Sequence, residues 1–146
     1  MNETYAKILT ANDLGLTGSH QGGVCIPHSN KELISFLPKL DTQIVNPNIW
    51  LKFKDTNGKI WHLRYIYYNG RIHKTSTRNE YRITYLTPFY REFKAEIGDS
   101  IVFSKSGTQG IYAVSIEKPS TQQTTLGLNS SNESPQIKLR GWRRIH

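Results

Sequence analysis

At 146 residues, 36% hydrophobic and 11% aromatic, the chain is long enough for one packed domain and too short for two comfortable ones. Nineteen Lys and Arg against eleven Asp and Glu leave a formal charge of +8, which favours a polyanionic partner, although a merely solvated basic surface would have the same balance. Cys25 is the only cysteine, excluding an intrachain disulfide framework and a thiolate zinc site, while no apolar run nears the ~20 residues of a membrane span and MNETYAKILT lacks a signal-peptide core; a cytoplasmic protein with no membrane partner is expected.

Short β-forming runs dominate, each bounded by Gly, Asn, Asp, Pro or Ser: AKILTA, GVCIP, IWLKFK, KIWHLRYIYY, YRITYL, SIVFS and GIYAVSIE. Seven such runs before residue 118 predict a barrel or sandwich. The first two are joined by a polar, glycine-rich loop in which Asn12, Asp13, Thr17, Ser19, His20 and Gln21 offer short donors and acceptors. Its glycines would let the backbone approach a ligand closely, but such a loop is more often only a loop, and it lacks the Gly-Lys-Ser/Thr ending of a phosphate cradle.

Ser29 reads as an N-cap, with Glu32 completing a capping box and Leu33, Ile34 and Leu37 forming an inner helical face before Pro38. Asp55-Thr56-Asn57-Gly58 reads as the turn of a hairpin from Phe53 to Ile60, because Asn-Gly readily takes positive φ angles. A second short helix is expected over Pro88 to Ala95, capped by Thr87. Residues 118–136 turn rich in Ser, Thr, Gln and Asn, as in a linker or loose loop. The closing IKLRGWRRIH, residues 137–146, is apolar and basic; it could dock back on a barrel or lead to another domain.

Most of the excess charge lies in two stretches. Residues 64–94 hold Arg64, Arg71, Lys74, Arg78, Arg82, Arg91 and Lys94 against Glu80 and Glu92, and the last ten residues hold four basic groups and no acid. Neutralising several phosphates with such groups would make binding fall steeply with salt, since each contact releases counterions. From Arg71 to Arg82 the chain carries Lys74, Thr77, Arg78, Asn79, Glu80 and Tyr81, a set rich in groups that read base edges: Arg pairs with guanine, Asn with adenine, and a carboxylate accepts from cytosine. In an extended backbone Arg78, Glu80 and Arg82 share one side. An acid between two arginines weakens phosphate attraction but suits a cytosine beside guanines; the competing reading is a surface salt-bridge ladder stabilising by ~0–1 kcal/mol per pair.

Catalysis has thinner support. Glu92-Phe-Lys94 fits the end of a magnesium-nuclease motif, yet no Pro-Asp precedes it at a sensible distance, and Glu92 falls on the surface of the second expected helix. The five histidines show no paired metal spacing, so no catalytic residue, metal or cofactor is expected. A binder of single strands or RNA needs aromatics exposed on a sheet; Tyr65, Tyr67 and Tyr68, beside Trp61 and Leu63, are at least partly core in an alternating strand.

The strings ANDLGLTGSHQGGVCIP, IYYNGR and TRNEYRIT, in this order and spacing, resemble the N-terminal effector domain of EcoRII-type restriction endonucleases. KIWHLRYIYYNGR followed by YRITYLTPFYREFKAEIGDSIVF is similar to the Trp-x-x-Arg and Gly-Asp-x-Ile/Val-x-Phe pattern of plant B3 domains, and the likeness runs from Lys7 to Glu117. It implies a mainly β, seven-stranded B3-like DNA-binding pseudobarrel with two short helices over residues 1–117, monomeric in isolation. It also implies two major-groove arms, Asn12 to Gln21 and Arg71 to Arg82, each reading half of a short pseudosymmetric site such as CCWGG. Asp13, His20 and Gln21 carry over in the first arm, and Arg71, Arg78, Glu80 and Arg82 in the second. The implied partners are double-stranded DNA and a catalytic nuclease domain in the same or a partner chain. Two departures stand out: the stretch between Arg71 and Arg78 is one residue longer, and Tyr81 replaces an expected lysine. Both bear on the places of Lys74 and Thr77 and leave room for a related GC-containing target.

Overall fold

The seven β-forming runs become strands β1 to β7 in a computed structural model that describes residues 3–17, 22–119 and 141–145. They are β1 (Thr4–Ile8), β2 (Gly23–Ile26), β3 (Asn48–Lys54), β4 (Ile60–Tyr68), β5 (Glu80–Thr84), β6 (Ser100–Lys105) and β7 (Ile111–Glu117). An eighth, β8 (Trp142–Arg144), comes from the basic tail, so the described residues hold eight strands rather than seven. The sheet order is β2-β5-β4-β3-β7-β6-β1-β8, antiparallel throughout except where β3 runs parallel to β7. This part of the tail docks on the barrel: Trp142 lies opposite Lys7, and Arg144 opposite Tyr5.

The sheet curls on itself, and its two edge strands meet through one side chain. The Trp142 indole N–H donates to the Cys25 carbonyl at 2.8 Å, bridging β8 to β2, while its ring stacks on Phe103. Inside lie Tyr5, Leu63, Tyr65, Ile83, Phe53 and Phe103, all nearly inaccessible to solvent. Each such side chain stabilises the fold by roughly 1.5–3 kcal/mol.

The helices depart from expectation in instructive ways. Helix α1 (Lys31–Phe36) is capped by Asn30, whose side-chain oxygen accepts from the Leu33 N–H at 3.1 Å, not by Ser29. Glu32 closes no box; it pairs with Arg144 at 2.9 Å. Helix α3 (Thr87–Glu92) starts one residue earlier than expected and stops before Ala95. Thr87 does not cap it, because its hydroxyl is taken by the Gly22 N–H at 2.6 Å. A third helix, the single turn α2 (Gly70–His73), was hidden inside the Arg71 to Arg82 stretch, whose basic, polar composition signals no periodicity. The hairpin turn forms as read, with Gly58 at φ +88°, while Asn57 is absent from the positive-φ residues. Instead the Asp55 carboxylate folds the turn by accepting from the N–H groups of Asn57 and Lys59 at 2.8 and 3.0 Å.

Residues 120–136 of the expected linker lie outside the described residues. Lys118, its first residue, donates to the buried Asp99 carboxylate at 2.6 Å and to the Lys94 carbonyl at 2.8 Å. Among the described residues no helix is long and apolar enough to cross a membrane.

Candidate nucleic-acid interface

Pairing fixes which side chains share a face. Opposite neighbours in antiparallel strands point the same way, so Gly23, Thr84, Arg64 and Trp50 form one row across β2, β5, β4 and β3. Cys25, Arg82 and Ile66 form the next, and Glu80 with Tyr68 the last. The alternate residues Val24, Ile83, Tyr65 and Leu63 face the core. The rows therefore make an outer floor that is basic and aromatic on an apolar interior.

The two polar loops rise from opposite ends of this floor. The first connects β1 to β2 and ends at the Gly23–Thr84 row; the second connects β4 to β5 and starts at the Tyr68–Glu80 row. Four residue steps along β5 lead from Glu80 to Thr84, a distance of about 13 Å.

The first loop is braced at its foot. Asp13 is only 4% exposed; its carboxylate forms an ion pair with Lys7 and accepts from the Thr10 N–H at 3.0 Å, while Thr10 returns a hydroxyl acceptor to the Asp13 N–H at 3.2 Å. Asp13 thus sits inside the loop's base, facing Lys7 rather than solvent. Asn12 and Thr17 are exposed and joined by a 3.0 Å hydrogen bond. Ser19, His20 and Gln21 lie outside the described residues.

The second loop is held by Asn69, which is fully buried. Its amide donates to the carbonyls of Thr42 and Ile44 at 3.2 and 2.8 Å, and its oxygen accepts from the Asn46 N–H at 2.7 Å. Gly70 follows for want of space: a Cβ there would lie 2.1 Å from the Ser76 hydroxyl, which folds back over it. Lys74 then reverses the chain in the left-handed region at φ 62°, and Arg71 N–H donates to the Arg78 carbonyl at 2.9 Å, closing the loop.

Within that loop Arg71, Lys74, Thr77 and Arg78 are exposed. Arg78 pairs with Glu80 and lies over Tyr68, its guanidinium carbon 3.6 Å from the ring centre. Arg82 is half-buried on the same face and forms no ion pair among the described residues, so the surface ladder stops at one rung. The other two candidates are tied to the barrel, Asn79 while itself exposed and Tyr81 half-buried. Asn79 accepts from the Tyr67 hydroxyl at 2.5 Å, and its carbonyl lies 3.0 Å from the His28 ring nitrogen. Tyr81 stacks on Tyr67 at 4.2 Å, and burial raises the pKa of both phenols. Both residues fasten the loop's return to the barrel.

Sequence reasoning passed over Arg64 and Tyr68. Their signal was period two: with Leu63, Tyr65 and Tyr67 in the core, Arg64 and Tyr68 must share the other face. Arg64 donates to the Tyr68 hydroxyl at 3.3 Å, and its guanidinium lies 5.3 Å from the Tyr85 ring centre. Glu92 ends α3 and pairs with Lys59 at 3.1 Å, and no group of three His, Cys, Asp or Glu converges among the described residues.

Comparison with known proteins agrees with this architecture. The Arabidopsis FUS3-DNA complex contains a chain that superposes with a TM-score of 0.60 at 20% identity, covering 79% of this chain and 96% of that one, which shows the B3-type pseudobarrel fold. The type II restriction enzyme EcoRII of Escherichia coli is 41% identical over 83 residues, 55% of this chain and 20% of the enzyme. The AP2/ERF and B3 domain-containing transcription factor RAV1 of Arabidopsis thaliana is 29% identical over 105 residues, 72% of this chain and 27% of that protein. The chain thus matches only a minor part of the length of either relative. The family model described as restriction endonuclease EcoRII, N-terminal, matches residues 2–125, and the chain belongs to that family.

Proposed function

We propose that this domain binds double-stranded DNA sequence-specifically, laying its two arms into the major groove. The observation that carries the proposal is the placement of two polar arms at opposite ends of one basic floor, about 13 Å apart along the strands. The major groove of B-DNA is about 12 Å wide and displays a distinct donor and acceptor pattern for every base pair. Floor and arms together present Arg64, Arg71, Lys74, Arg78 and Arg82 against Glu80, the buried Asp13 being paired with Lys7, enough to neutralise several phosphates. In the second arm Arg78, Arg82 and Glu80 are the readers of guanine and cytosine; Asn79 and Tyr81 position them. In the first arm Asn12, Thr17, Ser19, His20 and Gln21 supply the contacts, and Asp13 holds the arm's foot.

Membership of the EcoRII N-terminal family and a relative named as a restriction enzyme support the wider role. The domain acts as the recognition or effector unit of a modular restriction endonuclease, monomeric in isolation, with cleavage carried by a nuclease domain elsewhere in the same or a partner chain. Its target is CCWGG or a related short GC-containing site.

Selection of bound duplexes from a random library at moderate salt tests this. Enrichment of one short GC-containing motif is expected, together with weak competition by its separated strands. A library without enrichment, or equal competition by single strands, would overturn the proposal.

A further inference from the structure

The outer floor continues past the arms into a feature that neither arm uses. At its β3 flank Trp50 is 51% exposed and Tyr85 38% exposed, with ring centres 4.8 Å apart. Both rings thus leave a large part of their surface open to a ligand. Tyr85 moreover holds φ +70°, a conformation that strains any residue with a Cβ and persists only where the surroundings impose it. Reversing the backbone there brings the Tyr85 ring over Arg64 and beside Trp50. Arg64 has its Nε buried without a hydrogen-bond partner among the described residues. Lys52 and His62, the next pair on this face, are exposed. The result is an aromatic pair beside basic groups, with Trp50 on β3, two strands or about 10 Å sideways from β5, and Tyr85 directly after the end of β5.

We infer that Trp50 and Tyr85, with Lys52 and Arg64, form a third contact that packs on the sugar-phosphate backbone of duplex flanking the recognition site. The inference rests on the proposed duplex binding and adds a partner surface to it. Flat ring faces suit deoxyribose, and the neighbouring cations suit the phosphates on either side of it. Because backbone carries no direct base information, this contact adds affinity without adding selectivity. It is joined to the second arm by a continuous series of contacts, Tyr85 to Arg64, Arg64 to Tyr68, and Tyr68 to Arg78, so flanking DNA and arm share one support.

The test measures affinity for the selected duplex trimmed to its site and for the same site extended by roughly one helical turn on each side. Trp50→Ala and Tyr85→Gly are the variants; glycine suits the φ of residue 85, so the second removes the ring while keeping the backbone comfortable. Both should lose about tenfold in affinity for the extended duplex, less than about twofold for the trimmed one, and no base discrimination. The melting temperature of Tyr85→Gly should hold. Equal losses on both duplexes, or no loss on either, would overturn the inference while leaving the arms intact. Tighter binding to single-stranded overhangs than to duplex flanks would overturn it in favour of base stacking. If the unaltered domain binds neither duplex, the proposed function fails first.

Discussion

The guanidinium carbon of Arg78 lies over the ring of Tyr68, 3.6 Å from its centre. Glu80 holds the same guanidinium edge-on through Nε and Nη2. An arginine on an exposed loop is thereby fixed in plane and direction before any ligand arrives, which lowers the ordering cost of a two-point contact with guanine. Arg78→Ala and Glu80→Ala should each reduce discrimination between the selected site and single-base variants by about 1–3 kcal/mol. Stability should barely change, since exposed pairs contribute ~0–1 kcal/mol. A Glu80→Ala domain with full selectivity in a titration against substituted sites would remove its role as cytosine reader.

Asn69 should behave in the opposite way. With its side chain buried and bonded to three backbone groups of the 42–46 segment, Asn69→Ala leaves those groups unpaired at a cost of about 1–3 kcal/mol. Denaturant unfolding should show that loss, and affinity for cognate and random duplex should fall together.

Asp13 and Lys7 form a buried pair at the foot of the first arm. Removing one partner strands the other charge, so Asp13→Ala should destabilise by about 3–5 kcal/mol, and the double variant Lys7→Met with Asp13→Leu should cost less. Thermal unfolding of the two variants checks this. A large loss of binding with unchanged stability in Asp13→Ala would instead make its carboxylate a direct DNA contact.

Asp55 supplies the pH dependence. Burial opposes its charged form, but hydrogen bonds from the Trp61 indole and from the N–H groups of Lys59 and Asn57 outweigh it, and the folded pKa lies below the ordinary carboxylate value. A carboxyl with a depressed folded pKa contributes stability above its unfolded pKa, and that contribution disappears as pH falls through the folded one. Unfolding free energy should therefore drop between neutral and acid pH, and Asp55→Asn should flatten the acid side of the profile. An unchanged profile in that variant would contradict the assignment.

The barrel was legible because short β-forming runs are bounded by turn residues and β4 alternates in large part, although Ile66 is buried between Tyr65 and Tyr67. Leu63, Tyr65 and Tyr67 against Arg64 and Tyr68 show a period that only one face can satisfy. The arms were legible as stretches, but not their inner division of labour. Nothing in the string TRNEYRIT says that Asn79 and Tyr81 are held by Tyr67 and His28, since that depends on β2 and β4 being neighbours of β5. Helix α2 escaped notice because one turn has no periodicity. The choice of Asn30 over Ser29 as cap was a competition between two adequate residues, decided by where the chain leaves β2. The docking of Trp142 depended on the seam between β8 and β2, a feature of the closed sheet that no local pattern encodes.

Interference by chemical modification tests the central claim most directly. Guanine N7 faces the major groove and adenine N3 the minor groove. Methylating guanine N7 within the selected site should abolish binding, with Arg78→Ala removing the effect at one half of the site. Binding that tolerates N7 methylation throughout the site, and fails instead on N3 methylation, would contradict recognition through the major groove.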